Sequence, residues 1–147
     1  MRSLKPLILV AAAAFSSAAW ADDAVVKYRQ NQMAALGAHM GSITAVVKNE
    51  VPHTDQLNAH AQALAATALF TKTVFKEKVQ NSQSASKDAV WSDWDRFAKD
   101  ADALQEAAAQ LAKAVAANDQ GAVRKYVGEV GKTCKSCHDQ FKLKKGG

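Results

Sequence analysis

The 147-residue sequence has few of the residues that interrupt or cross-link a chain. Two cysteines are too few for a disulfide-stapled scaffold, and beyond residue 21 the only proline is Pro52. The seven glycines form no phosphate-binding loop between a strand and a helix, so no nucleotide-binding motif is present. Beyond residue 21, charged residues or glutamine interrupt every apolar run, so none is long enough to cross a bilayer.

Charge of either sign is also modest. The chain has 19 basic and 14 acidic residues, for a net charge of +5 at pH 7, and aromatic residues make up only 7%. Nucleic-acid-binding domains typically carry a concentrated basic stripe interleaved with aromatic side chains. We therefore expect no nucleic-acid partner.

The N-terminal segment has the layout of a secretory signal peptide. Arg2 and Lys5 precede an apolar run, which ends in the small-x-small sequence Ala19-Trp20-Ala21. We expect cleavage after Ala21, an exported protein made of residues 22–147, and no membrane attachment once the signal is removed.

The rest of the sequence favours helices. It contains 24 alanines, its apolar residues recur every three or four positions, and it has no alternating runs of β-branched residues. We predict four helices: 23–48, a second from a Thr54 or Asp55 cap to before Asn81, 87–117, and a fourth capped by Asp119. Short connections between helices of this length predict a single all-α domain, an antiparallel four-helix bundle.

The pentapeptide Cys134-Lys135-Ser136-Cys137-His138 is the C-x-x-C-H pattern of covalent haem attachment. On a helix the two cysteines share a face, where their sulfurs can meet the two vinyl groups of one porphyrin. His138 lies on the same face and can reach the iron as its proximal ligand. The motif predicts one covalent haem c, and hence a bundle that encloses it.

Other chemistry for these residues fits less well. A redox-active or structural disulfide is the alternative, but a C-x-x-C oxidoreductase is expected in a βαβ context, which this helical sequence lacks. Zinc needs more ligands than the motif supplies, and the other histidines (His39, His53 and His60) are scattered and predicted not to be ligands.

The whole mature chain resembles the class II cytochromes c, the cytochrome c′ family. The resemblance rests on the C-terminal haem motif, on Lys27-Tyr28-Arg29-Gln30, and on Val90-Trp91-Ser92-Asp93. It implies one haem inside a left-handed four-helix bundle, and many members are homodimers. It also implies that Arg29 and Gln30 line the haem and contact its propionates.

Met33 matches the position at which this family places its distal residue, opposite the proximal histidine. A Met33 that ligates the iron as sixth ligand predicts a low-spin electron carrier, because a thioether raises the potential. An apolar Met33 that does not ligate predicts a five-coordinate cytochrome that binds NO or CO. The sequence leaves both cases open, with electron transfer ranked first.

The expected protein is a periplasmic monohaem cytochrome and not an enzyme, since no histidine shares the helical stripe of Arg29 to serve distal acid–base chemistry. Its expected partners are redox proteins. An acidic partner would suit the basic residues around the haem motif, although a solvated, frayed C-terminus explains them equally well. These residues are Lys132, Lys135, Lys142, Lys144 and Lys145.

Overall fold

The structure is a computed structural model that describes residues 17–144, with side chains from residue 22 onward. Within this range the regular structure is helical, apart from one isolated antiparallel bridge between Ser86 and Lys142. A short 3₁₀ turn, Thr54–Gln56, precedes the second of six α-helices. These are α1 (Ser17–Val47), α2 (Leu57–Ala68), α3 (Thr71–Phe75), α4 (Ala89–Ser92), α5 (Trp94–Ala116) and α6 (Gln120–Phe141).

The six helices make up the four rods of the predicted bundle. The first rod is α1, the second is α2 with α3, the third is α4 with α5, and the fourth is α6. Each rod packs against the next along the chain, and the first also contacts the last. The all-α bundle predicted from the sequence is therefore confirmed.

An asparagine follows the end of each of the two longest helices, α1 and α5. Asn49 follows α1 and Asn118 follows α5, and each adopts a left-handed conformation, with φ of 59° and 55°. Asparagine tolerates this conformation, which lets the next amides bond back to the last carbonyls of a helix. Glu50 N accordingly donates to Ala45 O, and Asp119 N to Ala114 O.

One of the two predicted helix caps is confirmed. The Asp119 carboxylate accepts a hydrogen bond from Ala122 N at 2.9 Å, as expected for the start of α6. The predicted cap by Thr54 or Asp55 is wrong, because both residues lie inside the 3₁₀ turn. Gln56 precedes α2 and makes no side-chain cap hydrogen bond.

The second rod is less regular than predicted. The helix breaks at Leu69 and Phe70, resumes as α3 and ends at Phe75, well before the expected limit at Asn81. Leu69 is 52% exposed, because it lies five residues after the buried Leu64 and therefore off the buried face, which continues through Ala68 to Thr71 and Phe75. Residues 81–86, which separate the predicted second and third helices, form a loop, as those helix limits imply.

The interior of the bundle divides into two clusters. The aromatic cluster, at the end that holds the C-terminal part of α6, is built from Phe75, Val90, Phe97 and Phe141. The alanine-rich core fills the rest of the bundle, and six of its sixteen buried residues are alanine. It consists of Leu36, Ile43, Val46, Leu57, Ala61, Leu64, Ala68, Leu104, Ala107, Ala108, Leu111, Ala112, Ala114, Val115, Val123 and Val130.

Most of the predicted signal segment, residues 1–16, lies outside the described residues, and residues 17–21 form the start of α1. In the part of the chain that the structure describes, no helix combines the length and apolar character needed to span a membrane.

Candidate haem site

The last turns of α6 carry the C-x-x-C-H motif at the boundary between the two clusters. Cys134 packs against the alanine-rich core, and Cys137 packs against the aromatic cluster. Both thiols are free and partly buried, so the alternative of a disulfide is not what the structure contains. His138 follows Cys137 directly, and its side chain is more exposed than the two thiols. The described geometry leaves both sulfurs available for bonding to a third group.

Burial sets the protonation of these side chains. Burial first, then the negative charges of Asp100 and Cys134, raises the pKa of Cys137 to about 11, and burial also raises the pKa of Cys134. Burial and the positive charge of Lys142 lower the pKa of His138, against the opposing effect of Asp139. At neutral pH the site therefore presents two thiols and a neutral imidazole, which is the form that binds metals.

Met33 on α1 lies where the two clusters meet. Among residues 17–144 it is the one partly buried apolar side chain that packs against both the alanine-rich core and the aromatic cluster. Cys134 contacts the first of these clusters and Cys137 the second. The structure thus brings the predicted distal residue of the first rod to the same cluster boundary as the motif of the fourth.

Arg29, one turn before Met33, is almost completely buried, with 3% of its surface exposed. Its Nε donates to Val74 O and its Nη1 donates to Val79 O, both at 3.0 Å. Its guanidinium carbon lies 4.9 Å from the ring centre of Phe75 and 5.4 Å from that of Trp91. Sequence reasoning expected a haem contact here and missed this second role, in which the arginine holds the chain around and after α3.

One nitrogen of that guanidinium has no partner. Nη2 of Arg29 is buried without a hydrogen bond, and burial lowers the pKa of the group. Such a donor is costly unless an acceptor satisfies it, and a carboxylate gives the strongest bond to a guanidinium. The unsatisfied nitrogen fits the propionate contact that the family resemblance implies.

Neighbouring contacts tie the start of α1 to the loop that follows α3. Gln30 Nε2 donates to Gln83 O at 2.8 Å, and Asn81 Nδ2 donates to Asp23 Oδ1 at 2.6 Å. Trp91 Nε1 donates to Phe75 O at 2.8 Å, which joins α4 to α3. Gln30 thus binds the loop after α3 at Gln83, whereas its neighbour Arg29 binds it at Val79.

The basic residues near the motif are less free than the sequence suggested. Lys132 pairs with Glu129, and Lys135 pairs with Asp139. The C-terminal segment is also not frayed at its start, because Leu143 N donates to Ala85 O at 2.8 Å. Lys145 lies outside the described residues.

The remaining histidines do not join the motif. His39 on α1 and His60 on α2 contact each other, whereas His53 is exposed in the connection between the first two rods. Sequence reasoning treated the three as unrelated, because residues 39 and 60 come together only when α1 and α2 pack side by side.

The residues present fit one covalently attached haem. Two free thiols three residues apart on one helix can form thioethers, a neutral imidazole adjoins them, and a buried guanidinium has one donor to spare. A helical bundle with this motif on its last helix defines a c-type cytochrome of the four-helix-bundle class.

Comparison with known proteins identifies the family within that class. The family described as Cytochrome C′ matches residues 24–142. The chain is 35% identical over 121 residues to cytochrome c′ of Pararhodospirillum photometricum, which covers 82% of this chain and 97% of the relative. It is 31% identical over 121 residues to cytochrome c′ of Alcaligenes xylosoxydans xylosoxydans, covering 82% and 94%. The chain belongs to the cytochrome c′ family.

A solved structure supports the same assignment. A nitric oxide complex of a cytochrome c prime variant from Alcaligenes xylosoxidans superimposes with a TM-score of 0.77 at 30% identity. The match covers 84% of this chain and 97% of that structure. The chain is accordingly a monohaem c-type cytochrome with one covalent haem c, as the sequence motif predicted.

Proposed function

We propose that this protein is a periplasmic electron carrier in which Cys134 and Cys137 form the haem thioethers and His138 is the proximal ligand. Met33 completes the coordination as the sixth ligand. The observation that supports this choice is the place of Met33, which packs against the two clusters that also receive the cysteines.

The chemistry of the side chains favours an electron carrier if His138 and Met33 would both hold the iron. Bound haem c supplies an iron that exchanges one electron between its ferric and ferrous states. A thioether is a soft ligand that favours the ferrous state, and Met33 holds its sulfur on a long helix packed on two sides. Rigid packing keeps the ligand geometry similar in both oxidation states, which suits fast electron transfer.

Arg29 and Gln30 are proposed to hold the haem propionates. The unpartnered Nη2 of Arg29 supplies a charge-assisted donor, while its other two nitrogens keep the guanidinium in place through Val74 O and Val79 O. Gln30 reaches the loop next to it through Gln83 O.

Partner and compartment follow from surface and sequence. Lys142 and Lys144 follow the C-terminal end of α6, near the haem motif, where they would favour an acidic redox partner.

The signal-like residues 1–21 and the thiol chemistry of haem attachment both support export to the periplasm. A homodimer is also proposed, for which Tyr28, Leu69 and Phe70, each more than half exposed, would be available as contact residues. No catalytic role is proposed, because Arg29 already donates hydrogen bonds to the backbone carbonyls of Val74 and Val79.

The second candidate function is binding of NO or CO by a five-coordinate haem. It is favoured by the similarity to a cytochrome c prime whose solved structure is a nitric oxide complex. In this case Met33 acts as an apolar cover that does not bond, and the crowded distal side admits only small neutral molecules.

Absorption spectra of the ferric and ferrous protein, with and without CO, separate the two functions. An electron carrier shows a low-spin spectrum with a methionine-to-iron charge-transfer band and no response to CO. Met33→Ala then loses the band and gains the CO response, while the control Met40→Ala, one further methionine on α1, keeps both properties. A high-spin spectrum that shifts with CO in the unmodified protein would contradict the carrier and establish the gas-binding function.

A further inference from the structure

A pair of histidines lies on the first two rods, away from the C-x-x-C-H motif. His39 on α1 and His60 on α2 are both partly buried, and their Nδ1 atoms are 3.1 Å apart. The ring centres are 5.4 Å apart and the planes are inclined by 53°. Packing of two long helices therefore holds two imidazole nitrogens within reach of one another.

The separation of the two nitrogens suits a shared metal ion. Metal–nitrogen bonds to histidine are about 2.05 Å long, so an ion bonded to both Nδ1 atoms at their present spacing would have an N–metal–N angle of about 98°. This angle lies between the ~90° of tetragonal coordination and the ~109° of tetrahedral coordination. Metal binding would replace the hydrogen bond that now joins the two Nδ1 atoms, and both rings would turn so that each lone pair points at the ion.

The two helical segments that carry the pair are uncharged. No charged residue occurs in α2, and none occurs in α1 from His39 to its end at Val47. No ammonium group on these segments repels a cation, and none of their residues is a carboxylate that would complete the site. Within residues 17–144 there is no group of three or more histidine, cysteine or acidic side chains that could hold a metal. A bound ion at this pair would have two protein ligands and complete its coordination with water.

We propose that His39 and His60 form a second metal site, separate from the haem, which binds one divalent ion of the borderline transition metals and prefers Cu²⁺. Two imidazoles in cis positions with water in the others match the tetragonal nitrogen and oxygen coordination of Cu²⁺. Among first-row divalent ions Cu²⁺ also binds such sites most tightly. This site does not depend on whether the haem serves electron transfer or gas binding.

The test is titration of the holoprotein with Cu²⁺, in a form expressed without a histidine tag. The holoprotein is used because haem attachment removes the motif cysteines and histidine as competing ligands. We expect one tightly bound Cu²⁺ per chain, with an electron paramagnetic resonance spectrum that shows coupling to two imidazole nitrogens. His39→Ala and His60→Ala should each weaken binding about 100-fold, because the remaining imidazole loses its chelating partner.

The exposed His53 provides the matched control. His53→Ala should bind Cu²⁺ as the unmodified protein does. Equal affinity in all three alanine variants, loss of binding in His53→Ala alone, or coupling to fewer than two nitrogens would overturn the proposal. His39→Gln and His60→Gln keep more of the packing volume, and unchanged haem spectra in these variants show that weakened binding does not come from unfolding.

Discussion

The two ends of the bundle are built on different principles. Around the alanine-rich core the rods are long, unbroken helices, and small side chains let them pack tightly. Around the aromatic cluster the second and third rods break into the short helices α3 and α4, and the spaces between them are filled by large rings. The close packing of the alanine-rich core stabilises the bundle. A site for a large flat group such as haem needs helices that are interrupted and further apart, as they are around the aromatic cluster. One end of the bundle thus serves stability and the other serves the candidate haem site.

The contacts that replace continuous helices at the haem end are long-range. Arg29 donates hydrogen bonds to the backbone carbonyls of Val74 and Val79, and Trp91 donates one to the carbonyl of Phe75. These bonds connect residues 16 to 50 positions apart in the sequence. The haem end therefore depends on individual side chains, while the other end depends on the sum of many small contacts.

The largest expected effect comes from removing the central ring of the aromatic cluster. Phe97 is 3% exposed and lies 5.1–5.4 Å, centre to centre, from the rings of Phe75, Trp94 and Phe141. Phe97→Ala should lower the free energy of unfolding by about 3–5 kcal/mol and should also change the haem absorption spectrum. Urea denaturation followed by circular dichroism measures the first effect, and Phe97→Leu should show a smaller loss. An unchanged haem spectrum in a folded Phe97→Ala protein would contradict the division of tasks.

Overpacking the other end should reduce stability without altering the haem. Ala108 is fully buried on α5 among the small residues of the alanine-rich core. Ala108→Leu should destabilise the protein by about 1–3 kcal/mol, because three extra carbon atoms force the helices apart. The exposed Ala103 on the same helix is the control, since Ala103→Leu should have almost no effect on the urea midpoint. A shift of the haem spectrum in Ala108→Leu would show that the two ends are coupled.

The start of α6 offers a milder change at the end opposite the haem motif. The Asp119 carboxylate caps the helix through Ala122 N. Asp119→Ala should lower the free energy of unfolding by about 1 kcal/mol, measured by thermal or urea denaturation. Asp119→Asn keeps the capping oxygen and should retain most of the stability. Equal losses in both variants would mean that the charge, and not the cap, matters at this position.

The smallest effect is expected at an exposed ion pair of the haem end. The hydrogen bond from Lys135 is the largest cause that lowers the pKa of Asp139 below its ordinary value of 3.8, and nearby lysines add to it. A lowered pKa in the folded state means that the ionised carboxylate stabilises the fold at neutral pH, and that this contribution disappears as the pH falls through the lowered pKa.

Asp139→Asn should therefore reduce the urea midpoint slightly at neutral pH and not at all in strong acid. Lys135→Gln should produce the same small change, and high salt should weaken both effects. A difference that persists in acid would assign the effect to packing instead of charge.

Much of the architecture could be predicted from local patterns. In α5 the apolar residues recur every three or four positions, and Ala101, Ala108 and Leu111 are all buried, because a helix of uniform phase turns its sequence period directly into a face. Leu69 shows where such reasoning fails, because it is apolar but lies five positions after the buried Leu64 and so falls off the buried face. The break between α2 and α3 contains no proline or glycine, and the buried face keeps its phase across it, so periodicity alone could not reveal the break.

The candidate haem site likewise has one part that local sequence patterns predict and one part that they do not. The haem motif could be recognised from the sequence, because the three side chains proposed to hold the haem lie within five residues of a single helix. The sequence alone did not reveal that Arg29 is buried, because its partners Val74 and Val79 are backbone carbonyls, which are present at every residue and carry no pattern.

The sequence by itself determined the helical bundle and the covalent haem, and it predicts the attachment residues on the last helix, since each depends on spacings of three or four residues along one rod. Tertiary structure alone decided where the rods break, how Arg29 holds the chain after α3, and that His39 meets His60. These features depend on which face of one rod packs against another rod, and on which residues along the two rods lie side by side. Distances between rods follow from the packing of the whole core, which no short stretch of sequence contains.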